Sequence, residues 1–200
     1  PVAHIHGGEK TLNSLDDNFR HSISKFANLH FVSHKEYKKR VIQLGENPDY
    51  VHLVGGMGVD GIIKTNLLDK KDLEDELKFK FGSKNLLVTY HPVTLEEKTS
   101  RNDFENLLSS LEKLKDTKII FTLANSDTHG RIINYMIHDF VSNNSKNCVA
   151  YASLGQVRYL STLQYIDAVV GNSSSGLLEA PTFKIATINM GDRQKGRLRA

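Results

Sequence analysis

Three loops in this sequence gather side chains that can do chemistry. The first is Val170-Gly171-Asn172-Ser173-Ser174-Ser175-Gly176, followed by Leu177-Leu178-Glu179. An apolar strand ends there, glycines and hydroxyl side chains follow, and a helix is expected over 174–180. The unpaired N–H groups and partial positive charge of a helix N-terminus form a ready anion site. Ser173 and Ser174 would add hydroxyl donors. Serine is also favoured at any N-cap, so the same residues equally describe an ordinary cap. The loop lacks the GK[ST] ending of a Walker motif. Glu179 is expected about one and a half turns into that helix. There it can accept hydrogen bonds from ribose hydroxyls, as acidic residues do in dinucleotide folds, or simply face solvent.

The second loop is His4-Ile5-His6-Gly7-Gly8-Glu9, followed by Asp16-Asp17 and Arg20-His21. Imidazoles and carboxylates gathered after a strand suit proton transfer, because environment can push neighbouring groups to different pKa values. Asp at a first helical turn is also a common cap. A metal is disfavoured, since the spacing matches no standard zinc pattern. The third loop is Tyr90-His91-Pro92, where Pro92 holds His91 extended and stops the strand. Asn125 follows Thr122-Leu123-Ala124 at the equivalent end of the next strand.

The elements that must position these loops alternate between strand and helix. Strands are expected at 30–32, 51–54, 86–90, 119–121, 149–150, 168–170 and 185–188. Helices are expected from a Ser33 cap through Leu44, then over 102–114, 128–142, 156–165 and 174–180. Residues 55–58 read as a loop, and the polar stretch 64–83 as a helical surface connector. Short apolar strands without strict alternation indicate parallel sheets covered on both faces, an α/β fold. Ligands of such sheets bind at the carboxyl ends of the strands, where all three loops fall.

Bulk composition narrows the function classes. The 200 residues are 39% hydrophobic and 24% charged, with a formal net charge of +3, which describes a globular chain. The lysines are scattered, which argues against a nucleic-acid partner, and the basic cluster lies at the end, from Arg193 to Arg199. A single cysteine, Cys148, excludes an internal disulfide framework and suits a cytoplasmic setting. No apolar run reaches the ~20 residues of a membrane helix. The chain opens on Pro1 with a strand and stops soon after another, and so reads as a fragment.

Taken in order, these motifs resemble the UDP-N-acetylglucosamine 2-epimerases, and specifically their hydrolysing branch. The resemblance runs from His4–Glu9 through Asp16-Asp17, Arg20-His21, His91-Pro92-Val93-Thr94, Asn125, Gly171–Ser174 and Glu179 to Gly191-Asp192-Arg193-Gln194-Lys195-Gly196-Arg197. It implies a GT-B-like arrangement of two Rossmann-like domains with parallel sheets. Residues 1–66 would be the second half of the N-terminal domain, and 67–200 most of a UDP-binding C-terminal domain. Ser173 and Ser174 match diphosphate binders and Glu179 a ribose binder. His91, Asn125 and Arg193 match residues near the diphosphate and uridine, and Tyr159 an aromatic position beside the uracil. Asp16 matches a catalytic acid. His6 stands where relatives often carry Glu, with Glu9 the nearest carboxylate, so His6, Glu9, Asp16 and His91 are the catalytic candidates.

The implied reaction releases UDP from a UDP-2-acetamido sugar and yields the free 2-epimer, of the N-acetylmannosamine type. It needs no metal or other cofactor. The partners implied are the UDP-sugar and further copies of the same chain, with neither nucleic acid nor membrane. A GT-B glycosyltransferase or a non-hydrolysing epimerase would use the same UDP site. The Gly7-Gly8-Glu9 and Gly191–Gln194 motifs favour the hydrolysing branch.

Overall fold

A computed structural model describes residues 1–12, 15–92, 97–124 and 130–198. The chain divides into two compact units. One is Pro1–Lys64 together with Asp192–Ala200, and the other is Thr65–Gly191. The final segment differs: 192–200 was expected in the second domain and groups with the first unit.

The first unit holds β1 (Ala3–Ile5), α1 (Leu15–Phe26), β2 (Leu29–Val32), α2 (Lys35–Gln43), β3 (Val51–Leu53) and α3 (Met57–Lys64). Its strands form a parallel sheet in the order β1-β2-β3, with His4 beside His30 and His30 beside Val51. Val32, Tyr37, Val41 and Val51 make its small core. Two local expectations shift. His34, not Ser33, caps α2, its ring nitrogen accepting the Glu36 N–H at 3.2 Å. Residues 57–58, expected as loop, begin α3.

The second unit holds α4 (Lys70–Leu77), β4 (Lys84–Thr89), α5 (Glu97–Leu111), β5 (Thr117–Thr122), α6 (Gly130–Asn143), β6 (Cys148–Tyr151), α7 (Gly155–Leu163), β7 (Ala168–Gly171), α8 (Ser175–Leu178) and β8 (Ala186–Asn189). All its strand pairs are parallel, in the order β6-β5-β4-β7-β8. Side chains alternate across a strand. Leu87 and Val88 are nevertheless both buried, as are Ile120 and Phe121, so helices cover both faces. One face packs Val88, Phe121 and Val170 against Phe104 and Leu107 of α5 and Ile133 and Ile137 of α6.

The stretch read as a polar connector is part of this unit. Its one helix, α4, is capped by Asp69 and buries Leu73 and Leu77, four residues apart on one face. The Leu68 N–H donates to Ser161 Oγ of α7 at 2.9 Å, and Gln164 Nε2 donates to the Leu68 carbonyl at 3.3 Å. Two well-spaced leucines suffice to dock a helix that is otherwise charged.

The strand order reverses direction between β4 and β7. From β4 the chain builds outward through β5 and β6, then returns to β7 on the other side and continues to β8. This is the topological switch point, where open α/β sheets leave a crevice at the strand ends. Gly171 closes β7 with φ of 133°, and a Cβ there would run into the Thr89 carbonyl of β4. Gly171→Ala is therefore expected to destabilise the fold by about 2–5 kcal/mol, from a forbidden backbone conformation and overpacking together. Urea unfolding checks this, and a midpoint equal to wild type refutes it.

Candidate functional site

At the switch point, β4 delivers His91 and β7 delivers the serine loop. The last paired residues are Thr89 and Gly171, and the Asn172 N–H still donates to the Thr89 carbonyl at 3.1 Å. Beyond that point the Asn172 side chain takes over. Its Oδ1 accepts the His91 N–H at 2.7 Å, and its Nδ2 donates to the His91 carbonyl at 2.7 Å. His91 and Ser173 are thereby held on either side of one buried amide.

The helix expected over 174–180 is much shorter. α8 has four residues and passes directly into a 3-10 turn at Ala180–Phe183 with Pro181 near its start. Proline removes a backbone donor and its ring disfavours a continuing α-helix. One turn of helix carries little macrodipole, so any anion here would rest on individual N–H and hydroxyl donors. Ser174 is the N-cap and its hydroxyl makes no capping bond. Ser173 Oγ accepts the Ser175 N–H at 3.3 Å. Glu179 closes α8 as its C-cap instead of lying inside a helix.

Tyr159 comes from α7 and its hydroxyl hydrogen-bonds to the Ser175 hydroxyl. Burial pushes the Tyr159 phenol up to about 12, with the Glu179 carboxylate adding to the rise against the Ser175 bond. Tyr159, the serine loop and Glu179 thus form one neighbourhood beside His91. Asn125 lies outside the described residues. Cys148 is buried in the core and its thiol is raised to about 11 by that burial, so it offers no nucleophile.

The first unit assembles the other candidates. His6 follows β1 in a left-handed conformation, φ 69°, and its N–H donates to the Phe31 carbonyl at 2.8 Å. For a residue with a Cβ this costs roughly 1–2 kcal/mol, the kind of strain found where a side chain must be aimed. Gly8, at φ 79°, touches the backbone of Tyr37 so closely that no side chain fits, and its carbonyl accepts from Arg40. Asp16 is exposed in the first turn of α1.

Glu9 lies inside a set of charged side chains. It is 5% exposed, with Oε2 3.8 Å from Arg20 and 3.5 Å from Arg197. Arg20 also donates to the Glu9 carbonyl at 3.2 Å and pairs with Asp17 at 2.7 Å. Asp17 in turn accepts the Thr11 N–H at 2.8 Å, and the Leu12 N–H donates to the Lys195 carbonyl at 2.8 Å. Glu9 is therefore an internal anchor that ties its loop to α1 and to the tail. Arg193, expected with the nucleotide groups of 67–200, belongs to this unit too. Burial and the neighbouring Arg197 lower its pKa, while Asp16 works to raise it. Arg20 and Arg197 went unassigned from sequence, because a guanidinium says nothing of its partner until the chain has folded.

Among the described residues, no group of three His, Cys, Asp or Glu side chains is placed to hold a metal ion. No helix among them is long and apolar enough to cross a membrane.

A family model described as UDP-N-acetylglucosamine 2-epimerase matches residues 1–200. The chain belongs to the UDP-N-acetylglucosamine 2-epimerase family. It is 46% identical over 199 residues to the GDP/UDP-N,N'-diacetylbacillosamine 2-epimerase (hydrolyzing) of Campylobacter jejuni, covering 100% of this chain and 52% of the relative. It is 42% identical over 203 residues to polysialic acid biosynthesis protein P7 of Escherichia coli, covering 100% of this chain and 50% of the relative. This epimerase-family chain spans about half the length of the curated relatives it matches. Among solved structures, the Neisseria meningitidis UDP-GlcNAc 2-epimerase bound to UDP-GlcNAc superposes with a TM-score of 0.80 at 16% identity, over 97% of this chain and 54% of that one. That likeness is one of fold, α/β with parallel sheets and GT-B-like.

Two measurements test the first unit. Glu9→Ala leaves the largely buried Arg197 guanidinium without its carboxylate, while Arg20 keeps Asp17, and should destabilise the protein by roughly 2–4 kcal/mol. An unchanged urea midpoint would remove the anchor. His4 is buried against Ser24, and burial, then His30, Arg20 and His6, lower its pKa from 6.5. Neutral His4 therefore contributes stability that is full above pH 6.5 and is lost as pH falls through its depressed folded value. Unfolding at successive pH values should give a flatter profile on the acid side for His4→Asn than for wild type.

Proposed function

We propose that this protein is a hydrolysing 2-epimerase of UDP-2-acetamido sugars. The observation that carries the reading is the pairing of His91 with the serine loop at the switch point of the five-stranded sheet, in a chain matched by the epimerase family from end to end. Relatives named as hydrolysing enzymes at 46% and 31% identity support that branch.

In this reading Ser173, Ser174 and the N–H groups beside them hold the diphosphate, and Glu179 accepts hydrogen bonds from the ribose. Tyr159 lies beside the uracil, its hydroxyl fixed on Ser175. Asn125 and Arg193 contribute near the diphosphate and uridine. A base removes the C2 proton of the sugar, that electron pair becomes the C1=C2 bond, and the C1–O bond to UDP breaks. UDP leaves with the bonding electrons, its charge stabilised by fixed donors. Water then adds, hydroxyl to C1 and a proton to C2 on the opposite face. His6, Asp16 and His91 are the groups for these proton transfers. The buried Cys148 thiol suits a cytoplasmic setting, and exposed Phe19, Ile23 and Phe26 on α1 suit contact with a further copy or segment.

The test is NMR of the full-length protein with UDP-N-acetylglucosamine and, separately, UDP-N,N'-diacetylbacillosamine. Free UDP and the free 2-epimer are expected from one or both. An epimerised but intact UDP-sugar would indicate the non-hydrolysing reaction. Turnover only with an added acceptor would indicate a glycosyltransferase. Calorimetry should show UDP binding weakened by about 1–3 kcal/mol in Ser174→Ala and in Glu179→Ala. His91→Ala and Asp16→Asn should lose turnover while keeping UDP affinity, and near wild-type rates would remove them from the mechanism.

A further inference from the structure

The side chain of Asn172 is placed where a strand partner is missing. β4 and β7 pair as far as Thr89 and Gly171. One residue further on, Tyr90 points into the core, its hydroxyl donating to the Ser100 carbonyl at 3.2 Å. His91 is the next residue, and Pro92 follows. A backbone N–H and carbonyl that leave a sheet half-buried need partners. Asn172 is 1% exposed and supplies both with a single amide, accepting from the His91 N–H and donating to the His91 carbonyl, each at 2.7 Å. A primary amide is the smallest neutral side chain that offers acceptor and donor in one plane.

The geometry points to Asn172 as a positioning residue that acts through His91, fixing its backbone against the serine loop. The inference rests on the 2-epimerase reading for its consequence in turnover, but the clamp itself does not. Ser173 is the next residue in the chain, so the amide binds the anion loop and the imidazole carrier into one piece. At 1% exposure Asn172 is too deeply buried to meet a substrate. What it controls is where the His91 ring begins. Small displacements of a reacting group are enough, since a misplacement of about 1 Å can reduce rate on the order of 100-fold.

Asn172→Ala removes both bonds. Asn172→Asp keeps one: an ionised carboxylate accepts the His91 N–H but repels the carbonyl, whereas a protonated one can do both jobs of the amide. In the full-length protein, Asn172→Ala is expected to lower kcat by roughly 10–100-fold while UDP affinity changes by less than about threefold. In a His91→Ala background the same substitution should cause no further loss in kcat, because the imidazole that the clamp positions is gone although its backbone partner remains. Asn172→Asp should recover toward wild type as pH falls. Hydrogen exchange at the His91 amide, read without turnover, should be much faster in Asn172→Ala, with thermal unfolding measured alongside.

Losses that multiply independently in the double variant would overturn the coupling to His91. Equal losses in UDP affinity and kcat would also overturn it, and would assign Asn172 to the serine loop alone. Unchanged exchange at the His91 amide would overturn the clamp. If the wild-type protein releases no UDP from either sugar, the 2-epimerase reading fails, and the exchange result still decides whether Asn172 holds His91.

Discussion

The close approach of β7 to β4 at Gly171 is the constraint on which the candidate site depends. Only a residue without a Cβ can bring its backbone against the Thr89 carbonyl at φ of 133°. That contact sets where the serine loop leaves the sheet, and it keeps the loop beside the chain leaving β4. The reversal of strand order at this pair opens the crevice, and the apolar layers of α5 and α6 on one face hold the two strands in register. A substitution at Gly171 would move the loop and the crevice together.

The loop's chemistry differs from that of a long anion-binding helix. A four-residue α8 stopped by Pro181 cannot sum many peptide dipoles. The polar groups here are instead fixed singly. Tyr159 holds Ser175, Asn172 holds His91, and Ser173 turns back on the Ser175 N–H. Fixed donors need no reorganisation when charge develops, which is the property a departing diphosphate would require.

The first unit relies on buried charge. Glu9, Asp17, Arg20 and Arg197 form a connected set that fastens the loop after β1 to α1 and to the tail. Such a set adds little net stability over an apolar core, but it is sensitive to the loss of any member. It also accounts for part of the basic run at the end of the sequence. Arg197 faces a carboxylate inside the protein, and Arg193 is half-buried near Asp16.

Sequence alone determined the α/β class, most of the strands and the polar loops that follow them, because short apolar runs and glycine-serine turns are local signals. It also determined the family, since several motifs in a fixed order are hard to meet by chance. Tertiary structure decided what each residue in those motifs touches. Glu9 and Asp16 are both carboxylates in the same stretch, yet one is buried between two arginines and the other faces solvent. Leu73 and Leu77 look like stray leucines in a charged segment until α7 lies beneath them. The His91–Asn172 pair is separated by 81 positions, and no local pattern of side chains encodes which backbone an amide will meet. Such partners are fixed only when the sheet closes, because a hydrogen bond or ion pair between distant residues exists only once the strands that carry them are paired.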